Sequence, residues 1–358
     1  MHVIPAQAGI QGADTSREPA QSDSPLENPS EIGMILEIDN LTVSFATEAG
    51  SVNAVERVSL VLNRGKTLGI VGESGCGKSV TALSIMRLLP KPSGKVRSGR
   101  ILFDGTDLLQ LPAEKMRKIR GRRIAMIFQE PMTALNPVHT VGKQIGEMYR
   151  RHYAAWDGFD ISKAVAEGLH KVGISDPDRR ATEYPHQLSG GMRQRVTIAM
   201  ALACRPDILI ADEPTTALDV TVQAQILKLL KDLQAEAGTA VLFITHDLGV
   251  IAEMCDEVAV MYAGRVVERA ALIDLFKFPR HPYTQGLLLS IPHLNGKPKT
   301  KLYAIPGMVP DLLHFPQGCR FWNRCPHSTA RCRTESPATE SVGSGHEVSC
   351  FHWRRINR

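Results

Sequence analysis

Eight consecutive residues have types and a spacing that suit the binding of phosphate groups. They run from Gly72 to Ser79 and have the form G-x-x-x-x-G-K-S. Glycines here let backbone N–H groups turn inward around phosphate oxygens, and a following helix adds the partial positive charge of its N-terminus. We expect Lys78 to reach the β- and γ-phosphates of a nucleotide, and Ser79 to bind Mg²⁺. The expected nucleotide contacts are Gly72, Glu73, Ser74, Gly75, Cys76, Gly77, Lys78, Ser79 and Val80.

The residues on either side predict the strand and the helix that such a loop requires. Thr67–Val71 is an apolar run typical of a buried strand. After the loop, apolar residues recur at near-helical spacing and predict a helix from Val80 through Leu89. The order strand, loop, helix distinguishes a phosphate-binding loop from an ordinary glycine-rich turn.

Two acidic residues end a second apolar run and have the chemistry of a magnesium and water site. Residues 208–211 are followed directly by Asp212 and Glu213. Because parallel strands place active groups at their carboxyl ends, we expect Asp212 to hold Mg²⁺ through water and Glu213 to polarise the attacking water. A third run, 241–245, ends at His246. We expect His246 to contact the γ-phosphate, with a structural role as the alternative.

Two further features are candidates for contact with a nucleotide. Ser189 is a favourable N-cap residue, and Gly190 and Gly191 leave the first N–H groups of the next helix open to an anion. Phe45 ends an alternating strand that begins at Leu36, and an aromatic ring at that place can stack on adenine. Packing in the core is the alternative for this ring.

The composition of the 358 residues limits the class of protein. Hydrophobic residues make up 43% of the chain and charged residues 22%, which suffices for a globular core. The net charge of +5 is mild and does not by itself indicate a nucleic-acid partner. No run approaches the roughly 18 apolar residues of a membrane-spanning helix, so we expect a soluble or peripheral protein.

The pattern along the chain predicts three regions. Residues 1–33 are polar, rich in turn formers and aperiodic, which predicts a disordered tail with Met34 as an alternative start to Met1. Residues 34–278 carry the motifs above, beginning with an edge-type strand from Leu36 and including a helical insert at about 130–190. Residues 279–358 form the third region. The apolar stripe of the helical insert consists of Ile161, Val165, Leu169 and Val172.

Four of the seven cysteines lie close together in the third region. Their spacing is C-x₅-C-x₆-C-x₁₇-C. Because no secretory signal is recognisable, a metal site is favoured over a disulfide framework. Thiolates suit zinc or iron–sulfur, and the spacing does not decide between these and no metal. Since the cysteines lie far in sequence from the phosphate loop, we expect a structural role for them. They are Cys319, Cys325, Cys332 and Cys350.

Taken in their order along the chain, the motifs of about residues 36–278 resemble those of the ATP-binding subunit of an ABC transporter. Residues 188–194 are close to the signature motif of that family, Gln129 lies where its Q-loop glutamine does, and Asp219 where its D-loop aspartate does. The resemblance implies an α/β fold: a P-loop NTPase core with an antiparallel β subdomain, an inserted helical subdomain and a small, loop-rich, metal-binding C-terminal module.

The same resemblance implies a role for each motif in ATP hydrolysis. Two such subunits would enclose two ATP molecules, so that the signature residues of one contact the γ-phosphate bound by the other. Glu213 would act as the base, with Lys78 and His246 on the phosphates. The implied Mg²⁺ residues are Ser79, Gln129 and Asp212, and the implied signature contacts are Ser189, Gly190 and Gly191, followed by Asp219.

Beyond residue 278 the chain is similar to the C-terminal extension of dipeptide and oligopeptide importer ATPases. The similar stretches are His-Pro-Tyr-Thr at 281–284, Ile-Pro-Gly-Met-Val-Pro at 305–310, and Gly-Cys-Arg-Phe-Trp-Asn-Arg-Cys-Pro at 318–326. Nickel and glutathione importers share parts of this tail and are the alternative. By the same resemblance, the four cysteines would hold a [4Fe–4S] cluster, with Zn²⁺ as the alternative metal.

The resemblance thus implies ATP hydrolysis that powers the import of peptides through two integral membrane permease subunits. A second ATPase subunit, identical or paralogous, and an extracytoplasmic substrate-binding protein complete the implied assembly, which places this chain peripherally at the cytoplasmic face of the inner membrane. A soluble ABC ATPase acting on nucleic acid or ribosomes would usually carry a long coiled coil or two ATPase units, and neither occurs here. Glu213 argues against a nucleotide switch without turnover.

Overall fold

Within the residues that the structure describes, twelve strands form two sheets. The structure is a computed structural model, and it describes residues 33–48, 50–129, 134–216, 218–291, 303–343 and 345–356. The predicted tail, residues 1–32, therefore lies outside the described residues. The strands are β1 (Met34–Thr47), β2 (Gly50–Asn63), β3 (Thr67–Val71), β4 (Gly94–Phe103), β5 (Thr106–Asp107), β6 (Ile124–Ile127), β7 (Ile208–Asp212), β8 (Ala240–Thr245), β9 (Glu257–Tyr262), β10 (Arg265–Ala271), β11 (Glu340–Gly343) and β12 (His346–Val348).

The larger sheet brings the carboxyl ends of five parallel strands to one edge. Its strand order is β11-β12-β10-β9-β3-β8-β7-β6, and β9, β3, β8, β7 and β6 are mutually parallel. Every residue of β3, β7, β8 and β6 is buried. Such strands are covered on both faces, which is why the sequence shows continuous apolar runs rather than alternation.

The smaller sheet is antiparallel and has the order β2-β1-β4-β5. The prediction of an edge-type strand from Leu36 is wrong, because β1 lies between β2 and β4 and pairs with both. In β1 the alternation of apolar residues is interrupted between Ile38 and Leu41. The pairings of β1 with β2 and with β4 both have a register shift in this part of the strand. Asn40 has a φ of 50° at this point, which lets both residues remain buried despite the odd spacing.

Helices cover the larger sheet and form the predicted helical insert. Three of them, in residues 141–182, pack against each other, and the predicted stripe of Ile161, Val165, Leu169 and Val172 is buried as expected. The helices are α1 (Lys78–Ile85), α2 (Ala113–Ile119), α3 (Val141–His152), α4 (Gly158–Lys171), α5 (Pro177–Thr182), α6 (Gly190–Leu202), α7 (Val220–Ala237), α8 (Leu248–Met254), α9 (Leu272–Lys277), α10 (Pro282–Leu289), α11 (Ala330–Thr334) and α12 (Trp353–Ile356).

The helix after the phosphate loop is shorter than predicted. It was expected to reach Leu89, but α1 ends at Ile85 and Arg87 adopts a left-handed φ of 51°. The guanidinium of Arg120 holds this end, donating to the carbonyl oxygens of Met86 at 2.7 Å and of Arg87 at 3.1 Å. A cation that takes the last carbonyls of a helix stabilises its C-terminus, and this contact comes from outside the local sequence pattern.

The C-terminal region is joined to the larger sheet. Strand β12 pairs with β10, with Glu268 opposite Val348, and β11 pairs with β12 in turn. Residues from Gly33 onward form one compact unit. The boundary between residues 278 and 279 therefore stays a prediction.

Among the residues described, the structure contains no helix that is both long enough and apolar enough to cross a membrane.

Candidate functional site

The loop between β3 and α1 is shaped by glycines that no other residue can replace without displacement of its neighbours. A Cβ on Gly72 would lie 2.1 Å from the Met261 carbonyl oxygen of β9. Gly77 has a φ of +106°, and a Cβ there would lie 2.8 Å from the Ala54 carbonyl oxygen. Both positions lack space for a side chain because neighbouring backbone passes directly beneath the loop.

The start of α1 is open to an anion. Its N-cap residue, Gly77, supplies no side-chain hydrogen bond, so the first N–H groups of the helix have no intrahelical partner. The Lys78 side chain is buried, and its Nζ donates to the carbonyl oxygens of Gly72 at 2.7 Å and of Glu73 at 3.2 Å. A helix N-terminus beside an ammonium group is a phosphate site with complementary charge.

Ser79 and Asp212 meet beside this helix start. The Ser79 hydroxyl donates to Asp212 Oδ1 at 3.0 Å. Burial raises the pKa of Asp212, and the hydrogen bond from Ser79 opposes this only in part. A hydroxyl and a buried carboxylate next to a phosphate cradle are the oxygen ligands that suit Mg²⁺, so the two residues fit the predicted ion.

Glu213, directly after β7, contacts residues that follow two other strands, β6 and β8, and one residue of its own loop. Its carboxylate accepts from Gln129 Nε2 at 3.2 Å and Thr216 Oγ1 at 2.9 Å, and lies 3.3 Å from His246 Nδ1. Burial acts to raise the pKa of Glu213, but the hydrogen bonds from Thr216 and His246 and the charge of Lys78 outweigh it and hold the pKa below its usual range.

The backbone of Glu213 is in an uncommon conformation. Its φ is 48°, and its N–H donates to the Ile244 carbonyl oxygen of β8 at 2.8 Å. A left-handed residue directly after a strand turns the chain sharply, which directs the carboxylate to the carboxyl edge of the sheet. Ionised and oriented in this way, Glu213 is arranged to accept a proton from water.

The signature residues form a separate group at the start of α6. Ser189 and Gly190 are exposed, and the Ser189 side chain caps the helix by accepting from the Met192 N–H at 3.3 Å, as predicted. A Cβ on Gly191 would lie 3.0 Å from Val222 in the first turn of α7, which Asp219 caps. The exposed helix start is therefore presented outward from the chain.

Phe45 and Cys76 have less direct roles in this structure. Phe45 is half-buried and packs against the apolar core of the smaller sheet, next to Gly94. Adenine stacking by Phe45 stays a prediction. Cys76 is 1% exposed, and burial raises the pKa of its thiol, so only its backbone is available to a phosphate.

Sequence reasoning missed two residues that hold the phosphate loop from outside. The Glu73 N–H donates to Tyr283 Oη at 2.9 Å, and the Glu73 carboxylate accepts two hydrogen bonds from Arg324, at 2.7 and 3.0 Å. Burial acts to lower the pKa of Arg324, but the hydrogen bonds to Glu73 and Tyr262 outweigh it and raise the pKa. The one signal in the sequence was an arginine close to aromatic residues and cysteines, which requires a partner when buried.

The four clustered cysteines line one small cavity together with His352. The cavity has a volume of about 10 Å³. Burial raises the pKa of Cys325 to about 11 and that of Cys350 to about 12. Across the residues with described positions, no group of three or more His, Cys, Asp or Glu side chains is arranged to hold a metal ion. The cysteines thus converge as predicted, but the metal-binding nature of the module is not established.

Comparison with known families gives two matches along the chain. The family described as "ABC transporter" matches residues 55–216, and the family described as "Oligopeptide/dipeptide transporter, C-terminal region" matches residues 267–332. The first match spans the phosphate loop, the signature residues and the acidic pair, and the second spans Tyr283 and Arg324.

Individual transporter ATP-binding proteins are similar to this chain over most of its length. A probable peptide ABC transporter ATP-binding protein of Sinorhizobium fredii is 52% identical over 90% of this chain and 95% of its own length. The dipeptide transport ATP-binding protein DppD of Bacillus subtilis is 54% identical over 88% of this chain and 94% of its own length. A dimeric ATP-binding cassette solved in a post-hydrolysis state with ADP and Pi is 30% identical, with a TM-score of 0.60, over 66% of this chain and 99% of its own.

Proposed function

This chain belongs to the ABC transporter family, and we propose that it hydrolyses ATP at the carboxyl edge of its larger sheet to power peptide import. It is an ATP hydrolase and the ATP-binding subunit of a peptide importer, like relatives that share about half of its residues. The observation that carries the residue assignments is the convergence of β3, β6, β7 and β8. Ser79, at the start of the helix after β3, meets Asp212 at the end of β7, and Glu213 after β7 meets Gln129 after β6 and His246 after β8.

The phosphate loop supplies the binding energy for ATP in this proposal. Lys78 and the amides at the start of α1 hold the phosphates, and Phe45 stacks on adenine. The Mg²⁺ ion, held by Ser79, Gln129 and Asp212, would neutralise charge that develops on the phosphate oxygens. These ligands are supported by the Ser79–Asp212 hydrogen bond and by the contact of Gln129 with Glu213.

The reaction itself is assigned to Glu213 and His246. Glu213 is ionised at neutral pH because its pKa is lowered, and it orients and deprotonates the attacking water. His246 is 62% exposed on the same edge, which leaves its ring accessible to the γ-phosphate. Catalysis in this class depends on positioning and charge stabilisation rather than on covalent intermediates.

A second ATPase subunit, identical or paralogous, completes each site. The exposed helix start at Ser189 and Gly190, with Gly191 and Asp219 beside it, would contact the γ-phosphate held by the partner. The dimeric cassette that is similar to this chain was solved with ADP and Pi, which supports a dimer as the state that hydrolyses ATP.

Residues 129 to about 149, which join the core to the helical insert, are proposed as the contact with two integral membrane permease subunits, which holds the chain peripherally at the cytoplasmic face of the inner membrane. A substrate-binding protein would act indirectly, through the permeases. This contact region begins at Gln129, which touches Glu213 and so is sensitive to the γ-phosphate. Residues 130–133 lie outside the described residues. Beyond them, Val138 is 71% exposed, an apolar side chain open to a partner.

The four clustered cysteines are proposed to bind a [4Fe–4S] cluster, with Zn²⁺ as the alternative. The donor set supports this, because four thiols surround one cavity. The cavity holds roughly one water-sized sphere, so a cluster would require the cysteine side chains to open it. A bound metal would cross-link residues 319–350 and contribute to the folding of this region.

Replacement of Glu213 tests the hydrolytic assignment. Glu213→Gln should keep ATP binding but lower turnover about 10²–10⁴-fold, because the general base is lost. An ATP-bound dimer should accumulate in size-exclusion chromatography, since hydrolysis reopens the dimer. Glu236→Gln is the matched control, because Glu236 is an exposed partner of Lys171. Near wild-type turnover of purified Glu213→Gln would remove Glu213 from this role.

Cysteine cross-linking tests the permease contact. In the full transporter, Val138→Cys should form cross-links with cysteines introduced in the cytoplasmic loops of the permeases, because Val138 is exposed at the start of the insert. Ile273→Cys, 64% exposed on α9, is the matched control and should not react with these loops. Cross-links from Ile273 but not from Val138 would show that a different face of the chain docks.

Anaerobic purification tests the metal assignment. The protein should be brown, with broad absorbance near roughly 400 nm and about four irons per chain. Cys325→Ser should remove the colour and make the C-terminal region more sensitive to protease, whereas Cys204→Ser should not, because Cys204 lies at the end of α6. Colourless protein with stoichiometric zinc would show that the bound metal is zinc and not iron. Protein without metal and with a protease-resistant C-terminal region would refute both.

A further inference from the structure

The C-terminal region is bound directly to the phosphate loop through one acidic residue. Arg324 donates two parallel hydrogen bonds to the Glu73 carboxylate, at 2.7 and 3.0 Å. The Arg324 side chain is 3% exposed, so this ion pair is shielded from solvent on the arginine side. Tyr283 accepts the Glu73 backbone N–H at 2.9 Å. Both the charge and the backbone of Glu73 are thus fixed by residues more than 200 positions away.

The charge of Glu73 matters because it lies beside the phosphate cradle. Lys78 Nζ, the ammonium group expected to meet the phosphates, lies 3.2 Å from the Glu73 carbonyl oxygen. An unpaired carboxylate on this residue of the loop would repel the negative charges of ATP. Arg324 supplies the compensating positive charge in a fixed, bidentate geometry, which a flexible ammonium group does not reproduce.

A second arginine of the same segment holds the loop from another side. Arg320 donates to the Glu56 carboxylate and to the Ala263 carbonyl oxygen. The next residue of that turn, Gly264, donates its N–H to the Cys76 carbonyl oxygen at 2.9 Å. The segment of residues 319–325 therefore contacts the phosphate loop by two independent routes, one direct and one through the β9–β10 turn.

We propose that Arg324 is a positioning residue for ATP, which neutralises Glu73 and holds the phosphate loop so that the C-terminal segment sets the affinity for nucleotide. This inference goes beyond the proposed function and does not depend on a metal at the cysteines. Arg324 also donates to the carbonyl oxygens of Pro306 at 3.0 Å and Ile305 at 3.3 Å. A test must therefore separate an effect on nucleotide from an effect on folding alone.

The test is the ATPase kinetics of the full chain with Arg324→Met. We expect KM for ATP to rise about tenfold, with kcat changed by less than about threefold, because the lost interaction acts on binding. The rise in KM should shrink at high ionic strength, since salt screens the repulsion between Glu73 and the phosphates. Arg354→Met is the matched control, because its ion pair with Glu340 is exposed in the same region.

A second substitution distinguishes charge compensation from structural support. Adding Glu73→Gln to Arg324→Met should restore KM to within about threefold of its value in the intact chain, because a neutral amide does not repel phosphate. A purely structural role for Arg324 predicts no such restoration. The proposal is overturned if Arg324→Met lowers the unfolding temperature but leaves KM unchanged, or if its KM is the same with and without Glu73→Gln.

Arg324→Lys keeps the test decisive if Arg324→Met does not fold. Lysine preserves the positive charge but not the two parallel hydrogen bonds. KM should therefore rise about threefold, which is less than the rise expected for Arg324→Met. An unchanged KM in Arg324→Lys, together with an unchanged response to salt, would contradict the proposal.

Discussion

The loop between β3 and α1 has to keep backbone N–H groups unpaired inside the fold until a phosphate arrives. Proteins rarely leave such groups unpaired, so the rest of the loop must be held firmly by its surroundings. The Met261 carbonyl oxygen lies against Gly72 and leaves no space for a side chain there. The Gly264 N–H donates to the Cys76 carbonyl oxygen and holds a second point of the loop. The buried ammonium group of Lys78 donates hydrogen bonds to two carbonyl oxygens of the loop. The cradle is therefore formed before ATP binds.

Two adjacent acids at this edge have opposite environments. Burial raises the pKa of Asp212, whereas hydrogen bonds and nearby positive charge lower that of Glu213. A raised pKa means that ionised Asp212 costs stability, and this cost grows as pH rises from the unfolded value of 3.8 through the folded pKa. In the proposed function, a divalent cation at Asp212 would remove that cost. The lowered pKa of Glu213 keeps its carboxylate ionised, as the proposed role on water requires.

The C-terminal region is anchored to the same sheet by a buried acid. Glu268 of β10 is fully buried and accepts from the N–H groups of Arg280 and His281 and from His346. Burial lowers the pKa of His281 to about 4, so this histidine is neutral and packs beside Phe321. Strand β12 and these contacts join the C-terminal region to the sheet that also carries the phosphate loop.

The sequence predicted what depends on short-range spacing. The phosphate loop, the acids at the end of β7, the Ser189 cap and the stripe on α4 are each encoded within a few residues, and the structure has them as expected. It did not predict contacts that depend on distant partners. The end of α1 is set by Arg120, the central place of β1 is set by pairing on both sides, and Arg324 meets Glu73 across 251 positions. Cys325 directly follows Arg324, so the cysteine segment adjoins a residue that contacts the phosphate loop despite its distance in sequence.

An experimental structure of the full chain with Mg²⁺ and a non-hydrolysable ATP analogue tests the central claim most directly. We expect Lys78 Nζ to leave the Gly72 carbonyl for phosphate oxygens, and Mg²⁺ with its waters to replace the direct hydrogen bond between Ser79 and Asp212. The pairing of Glu73 with Arg324 should persist. A complex in which Lys78 stays on the Gly72 carbonyl, or in which the nucleotide lies away from this loop, would contradict the account.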